Sequence, residues 1–166
     1  LGSDAGRMVK FNENEIRVMG RTAAGVKGIS LDNNKCICLE VVNEEDIILM
    51  VTEKGYGKQT KVCEFRQTKR GSKGVKALNI TDKNGNLVSV KIVNEDQEVV
   101  IMTNSGMTMR MPIEQISLLG RVTQGLRLIN LKDNQIVSTI SIVDKVNDAT
   151  DNESEEATSV ESTNEQ

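Results

Sequence analysis

The stretch "GRVTQGLRLI", Gly120–Ile129, appears one hundred residues earlier as "GRTAAGVKGI", Gly20–Ile29. A third version, "RGSKGVKAL", Arg70–Leu78, lies between them. The shared core is an arginine, three residues, a glycine, an aliphatic residue and then Lys or Arg. Its arginines are Arg21, Arg70 and Arg121, at intervals of 49 and 51. A second set keeps the same spacing: "SDAGRMVKF" from Ser3, "TEKGYGKQT" from Thr52 and "TNSGMTMRM" from Thr103, with Gly6, Gly55 and Gly106 again 49 and 51 apart. Two independent landmarks at matching intervals establish a repeat of about 50 residues.

Each repeat has one local layout. A short, β-branched run such as "DIILMVT" (Asp46–Thr52) or "EVVIMT" (Glu98–Thr103) reads as a buried strand. A glycine turn follows, then a second strand such as "YGKQTKVCEF". The basic glycine loop leads into another strand, "VKALNIT" or "LRLINL". "DKNGN", Asp82–Asn86, is read as a hairpin turn because Asn-Gly tolerates positive φ, and "LVSVKIV" after it alternates as a strand does. The only proline, Pro112, opens a short helical turn, "PIEQIS". Cys36 and Cys38 alternate with Ile37 and Leu39 and read as a buried strand. Four strands per unit of about 50 residues is the plan of a propeller blade. The expected fold is all-β: about two and a half four-stranded blades over residues 1–143. That is too few to close a ring, so strand edges are left exposed.

Composition narrows the functional classes. One Tyr, two Phe and no Trp rule against a surface that stacks single-stranded bases. Three cysteines without a CxxC pair, and no histidine, support neither a disulfide framework nor a zinc site, so a reducing cytoplasm is expected. There is no apolar run long enough for a membrane span and no signal-peptide pattern, and the first residue is not Met, which suggests a piece of a longer protein. Net charge is −3 but uneven: residues 1–143 carry 20 Lys and Arg against 16 Asp and Glu, whereas residues 144–166 carry one Lys against eight acids. A basic body with an acidic tail is a common arrangement in nucleic-acid binders. The tail, "DKVNDATDNESEEATSVESTNEQ", is expected to be disordered.

The phrases "RVMGRTAAGVKGISL", "VTEKGYGKQTKVCEF" and "LLGRVTQGLRLINL" resemble the C-terminal region of the A subunit of DNA gyrase over nearly all of residues 1–143. The resemblance implies the last part of a six-bladed β-pinwheel, a propeller variant in which neighbouring blades exchange a strand and duplex DNA wraps around a basic outer edge. It also implies a partnership with the rest of gyrase A and with gyrase B, with ATP and Mg2+ acting elsewhere in that assembly, and a cytoplasmic location. The family's wrapping loop has the form Gln-(Arg/Lys)-Arg-Gly-Gly-(Arg/Lys)-Gly. Lys69, Arg70, Gly71, Lys73 and Gly74 match it, whereas Thr68 and Ser72 depart from it. That loop belongs to the family's first blade, so the stretch here reads as its repeat equivalent. The corresponding subunit of topoisomerase IV is the nearest alternative, and a propeller scaffold for protein partners is an alternative of another class.

Affinity for duplex DNA comes largely from Lys and Arg neutralising phosphates, and wrapping needs such cations repeated along a curved surface. The candidate contacts are Lys10, Arg21, Lys27, Lys58, Lys69, Arg70, Lys73, Lys76, Arg110, Arg121 and Arg127. Gly25, Gly74 and Gly125 recur because the loop needs a turn. The arginines admit two readings, phosphate contact or blade-to-blade hydrogen bonding. Gln59 occupies the repeat position of Lys10 and Arg110, with Lys58 beside it as a compensating charge. Tyr56 reads as structural, because Arg7 and Met107 share its repeat position. Met102, Met107, Met109 and Met111 read as packing residues. No catalytic residue, metal ligand or nucleotide-binding loop is expected in this chain.

Overall fold

The computed structural model describes residues 1–145. Eleven strands follow in chain order: β1 (Gly2–Ser3), β2 (Arg7–Met8), β3 (Cys36–Cys38), β4 (Ile47–Thr52), β5 (Tyr56–Lys61), β6 (Val75–Lys76), β7 (Leu87–Val93), β8 (Gln97–Thr103), β9 (Thr108–Pro112), β10 (Leu126–Arg127) and β11 (Val137–Asp144). Three single-turn 3-10 helices, Glu13–Glu15, Val62–Glu64 and Ile113–Gln115, recur at the intervals of the sequence repeat. The strands form three antiparallel sheets, ordered β3-β1-β2-β6, β10-β5-β4-β7 and β11-β8-β9. The last strand runs to Asp144, one residue beyond the boundary read from composition.

The outer strands are exchanged between repeats. β6 follows the second repeat's basic loop but pairs with β2 of the first, Met8 opposite Val75 and Arg7 opposite Lys76. β10 of the third repeat pairs with β5 of the second, Leu126 opposite Gly57 and Arg127 opposite Tyr56. The second and third basic loops therefore lie at blade junctions. The glycine before each exchanged strand has positive φ: 68° at Gly74 and 82° at Gly125. A methyl group on Gly125 would lie 2.8 Å from the Gly57 carbonyl oxygen, and one on Gly74 would collide with the Met8 carbonyl. Glycine is needed there for both the turn and the close approach of the backbones.

The cores lie between the sheets. Successive residues of a strand point to opposite faces, and β4 is covered on both. Ile48 and Met50 join a cluster with Met8, Val62, Phe65, Leu78 and Val90. Leu49 and Val51 join another with Val99, Ile101, Ile113, Ile129 and Val137. This is why "IILMV" shows no polar alternation. Met109 and Met111 pack against the second cluster, while Met107 is exposed at the β8–β9 turn.

Four local readings are revised. "DKNGN" is not a hairpin turn: it links β6 in one sheet to β7 in the next, and its Asn84 is buried as a bracket. The Asn84 amide donates to Asn79 O (2.9 Å) and to Gln124 O of the third repeat (3.2 Å). "VKALNIT" and "LRLINL" form only two-residue strands, because each meets its partner blade over two positions before turning inward. "YGKQTKVCEF" leaves the strand at Lys61 for a 3-10 turn. Cys36–Cys38 is a strand but not a buried one: it edges the first sheet, Cys36 is exposed, and Leu39 after it is 69% exposed.

Candidate nucleic-acid interface

The repeated arginines serve the blade junctions. The Arg70 backbone N–H donates to Glu15 Oε2 (3.1 Å), and the Arg121 N–H donates to Glu64 Oε2 (2.9 Å). Both acids end the 3-10 helix of the preceding repeat. The Arg70 guanidinium donates to Lys27 O (2.6 Å), and Arg121 makes the equivalent bond to Lys76 O. Of the two readings open for these arginines, this is the blade-to-blade one. Arg21, in the first repeat, is exposed.

The position shared by Lys10 and Gln59 also faces a neighbouring repeat. Lys10 Nζ donates to Val62 O (3.3 Å), the first residue of the second 3-10 helix, and pairs with Glu44 at 2.9 Å. Gln59 Nε2 donates to Ile113 O (2.9 Å) and Ile116 O (2.6 Å), on and just after the third. Cation and amide do the same work, donating to a helix carbonyl. The loss of charge at Gln59 therefore needs no compensation. Arg110, the third member, pairs with Glu98.

Lys58 overturns its assignment as a phosphate contact. It is fully buried. Its ammonium donates to Gly120 O (2.8 Å), Arg121 O (2.7 Å) and Thr123 Oγ1 (3.1 Å), all in the third basic loop. Burial pushes its pKa down to about 8, with Glu64 opposing the shift and Arg121 adding to it. Lys58 fastens the loop from beneath. In the second loop Arg7 does this instead, donating to Lys73 O (3.0 Å) and Gly74 O (2.9 Å).

Of the candidate contacts, Arg21, Lys27, Lys69, Lys73, Lys76, Arg110 and Arg127 are exposed. Lys27, Lys76 and Arg127 occupy one repeat position, and in β6 and β10 it is the second residue of the exchanged strand. Local polar contacts hold some of them: Lys76 Nζ to Asn79 Oδ1 (2.6 Å), Lys27 Nζ to Ser30 Oγ (3.2 Å) and an exposed Lys73–Asp32 pair at 2.5 Å. Arg17 and Arg66 were missed. They are exposed and 49 residues apart, so the register that exposed the loop arginines marks them too, with Ser117 in the third repeat. Tyr56 is buried and accepts a hydrogen bond from Arg127 Nη2 (3.0 Å), a junction contact. Among the described residues no group of three or more His, Cys, Asp or Glu is arranged to hold a metal ion. No helix among them is long and apolar enough to cross a membrane.

A family model described as the DNA gyrase C-terminal domain, beta-propeller, matches residues 1–37, 46–94 and 97–144, one segment per repeat. The DNA gyrase A protein of Ureaplasma parvum is 44% identical over 143 residues, 86% of this chain and 17% of its own length. The Staphylococcus epidermidis protein of that name is 43% identical over 155 residues, 92% of this chain and 17% of its own length. The Staphylococcus aureus one is 41% identical over 162 residues, 96% and 18%. The chain thus spans less than a fifth of these relatives. A solved DNA gyrase A C-terminal domain superimposes with a TM-score of 0.77 at 27% identity, covering 84% of this chain and 48% of that one. A DNA topoisomerase IV C-terminal domain superimposes at 0.78 with 21% identity, covering 86% and 45%, a likeness of fold alone. Repeat register, exchanged strands and the three matched segments agree, and this chain belongs to the family of DNA gyrase A C-terminal β-propeller domains.

Proposed function

We propose that this domain is the DNA-wrapping module of a DNA gyrase A protein. It bends duplex DNA along its basic loops so that the complete type II topoisomerase introduces negative supercoils. The observation that carries this reading is the exposed cation at the same position of every repeat: Lys27, Lys76 and Arg127. The Lys27 and Lys76 ammonium groups bond locally to Ser30 and Asn79, so their charge is surplus to the blade junctions, whereas Arg127 also holds Tyr56. Repetition along a curved surface suits a ligand that is itself a repeating line of phosphates, read by charge rather than by base. Gyrase B and the remainder of gyrase A supply ATP hydrolysis, Mg2+ and strand passage, in the bacterial cytoplasm.

Duplex retention at two salt concentrations is the direct test. Affinity should be indifferent to base sequence, and log K should fall with log salt at roughly −0.9 per phosphate contact. The variant Lys27→Ala/Lys69→Ala/Lys76→Ala should bind more weakly and with a shallower slope, by about 0.9 for each phosphate no longer neutralised. A flat salt response in the unaltered chain would leave a protein-binding scaffold as the better reading.

A further inference from the structure

One cluster of cations is explained by the repeat only at Arg127. Lys54, Lys83, Arg127 and Lys132 converge with Tyr56 on an open cleft of about 430 Å³ between β5, β10 and the 131–136 segment. Tyr56 is its aromatic floor. The Lys83 ammonium lies 5.7 Å from the ring centroid and the Arg127 guanidinium 5.4 Å. Arg127 is further held by Asn130 Oδ1 (3.3 Å), and Lys54 by the Asp82 carbonyl, on the turn that carries Lys83. None of the four cations is in an ion pair among the described residues, and Asp133 is the one acid lining the cleft. Lys54 and Tyr56 stand where the other repeats have Ala5 and Ser105, and Arg7 and Met107. The blade plan does not require them.

Four cations sharing one cleft repel one another, and each keeps a cost in the empty state that an anion would remove. The Arg127 hydrogen bond draws the Tyr56 phenol below its ordinary pKa, as expected in a field that favours negative charge. A guanidinium offers a fork of donors to paired oxygens, and Lys83 and Lys132, which line the same cleft, add movable point charges. Cations of this kind, set around a polar cleft open to solvent, suit a compact ligand with several anionic oxygens.

We propose that this cleft is a discrete phosphate-binding site, with Arg127 as the fork and Lys83 and Lys132 as flanking charges. The phosphate is either a duplex backbone group seated deeper than its neighbours or part of a free polyphosphate. Only the first source depends on the wrapping function.

Tyr56 is the sole tyrosine and there is no tryptophan, so 3-fluorotyrosine incorporation places one reporter in the cleft floor. Fluorine NMR of the full chain would be followed against tripolyphosphate, inorganic phosphate and a short duplex, at constant ionic strength with chloride as control. A saturable shift with tripolyphosphate or duplex is expected, absent with chloride. Lys83→Ala/Lys132→Ala should raise the half-saturation concentration by about tenfold or more, the effect of losing a charge-assisted hydrogen bond. A shift with both ligands assigns the site to phosphate in general; a shift with duplex alone assigns it to the DNA path. A shift with tripolyphosphate in a chain that fails to retain duplex would support the site while overturning wrapping. Retained duplex binding without a saturable tyrosine shift, or a shift unchanged in the double variant, would overturn the site and leave wrapping intact.

Discussion

Lys58 has the residue type of a phosphate contact and the position of a bolt. A lysine ammonium is rarely buried without partners, and this one has three acceptors in the loop above it. Its depressed pKa, about 8, fixes the sign of a pH effect. Below that value both folded and unfolded chains carry the proton, and the fold bears the cost of desolvating it. Between about 8 and the ordinary lysine value near 10.4 the unfolded chain binds more protons, so this residue's contribution to stability rises with pH. Urea unfolding of the unaltered chain and of Lys58→Met at pH 7 and pH 10 should show the unaltered chain gaining on the variant, on the order of 2 kcal/mol. At pH 7 the variant should be weaker by about 1–3 kcal/mol, because Arg121 O loses its donor. Equal pH slopes would mean that Lys58 is charged throughout. The same scale explains why the repeated arginines were ambiguous: a guanidinium can face a phosphate or a carbonyl, and composition does not say which. It also governs the choice of variant. Lys69→Ala/Arg70→Ala/Lys73→Ala would remove a junction clamp along with two surface charges, since Arg70 holds Lys27 O.

At the scale of the element, the exchanged strand depends on its glycine. Gly25, Gly74 and Gly125 all have positive φ, but only the last two lie tight against a neighbouring strand. Gly25→Ala should therefore cost about 1–2 kcal/mol, the strain of a left-handed residue. Gly74→Ala and Gly125→Ala add a backbone collision and should cost about 3 kcal/mol or more, loosening the outer strand. Thermal unfolding of the three variants ranks them, and equal losses would reduce the glycines to turn residues. This is also where the sequence was most and least legible. β4 and β8 were readable because continuous aliphatic runs bounded by turn residues are distinctive. The two-residue β6 and β10 were overread as full strands, since a short apolar stretch looks the same whether it pairs for two residues or six. "DKNGN" misled because Asn-Gly reports a positive-φ turn but not which sheets it joins. The basic loops were found by spacing alone. The cleft around Tyr56 was not, because Lys54, Lys83 and Lys132 converge only after the strands are exchanged, and no interval marks them.

At the scale of the whole molecule the division of charge becomes a prediction. Asp144 of β11 pairs with Gln97 of β8, and Lys145 pairs with Glu114 at 3.4 Å, so both residues contact the blades although composition groups them with the acidic segment. Residues 146–166 lie outside the described residues, as does the expectation of a disordered tail. Their sequence holds seven acids and no Lys or Arg. An anionic segment tethered to a cationic surface would have a high effective concentration there and would compete with DNA phosphates. Removing it should tighten duplex binding. The competition is electrostatic, so the gain should be largest at low salt, where the screening length is longest, and should shrink toward physiological ionic strength, where that length is about 8 Å. It should also be smaller in Lys27→Ala/Lys69→Ala/Lys76→Ala, where the tail has less to occupy. Gel-shift titrations of the full chain and of a chain ending at Lys145, each with and without the triple substitution, provide the comparison. Equal affinities of the two lengths at low salt would show that the tail is only a solvated appendage. A gain that persists undiminished at high salt would mean that the tail blocks DNA by bulk and not by charge.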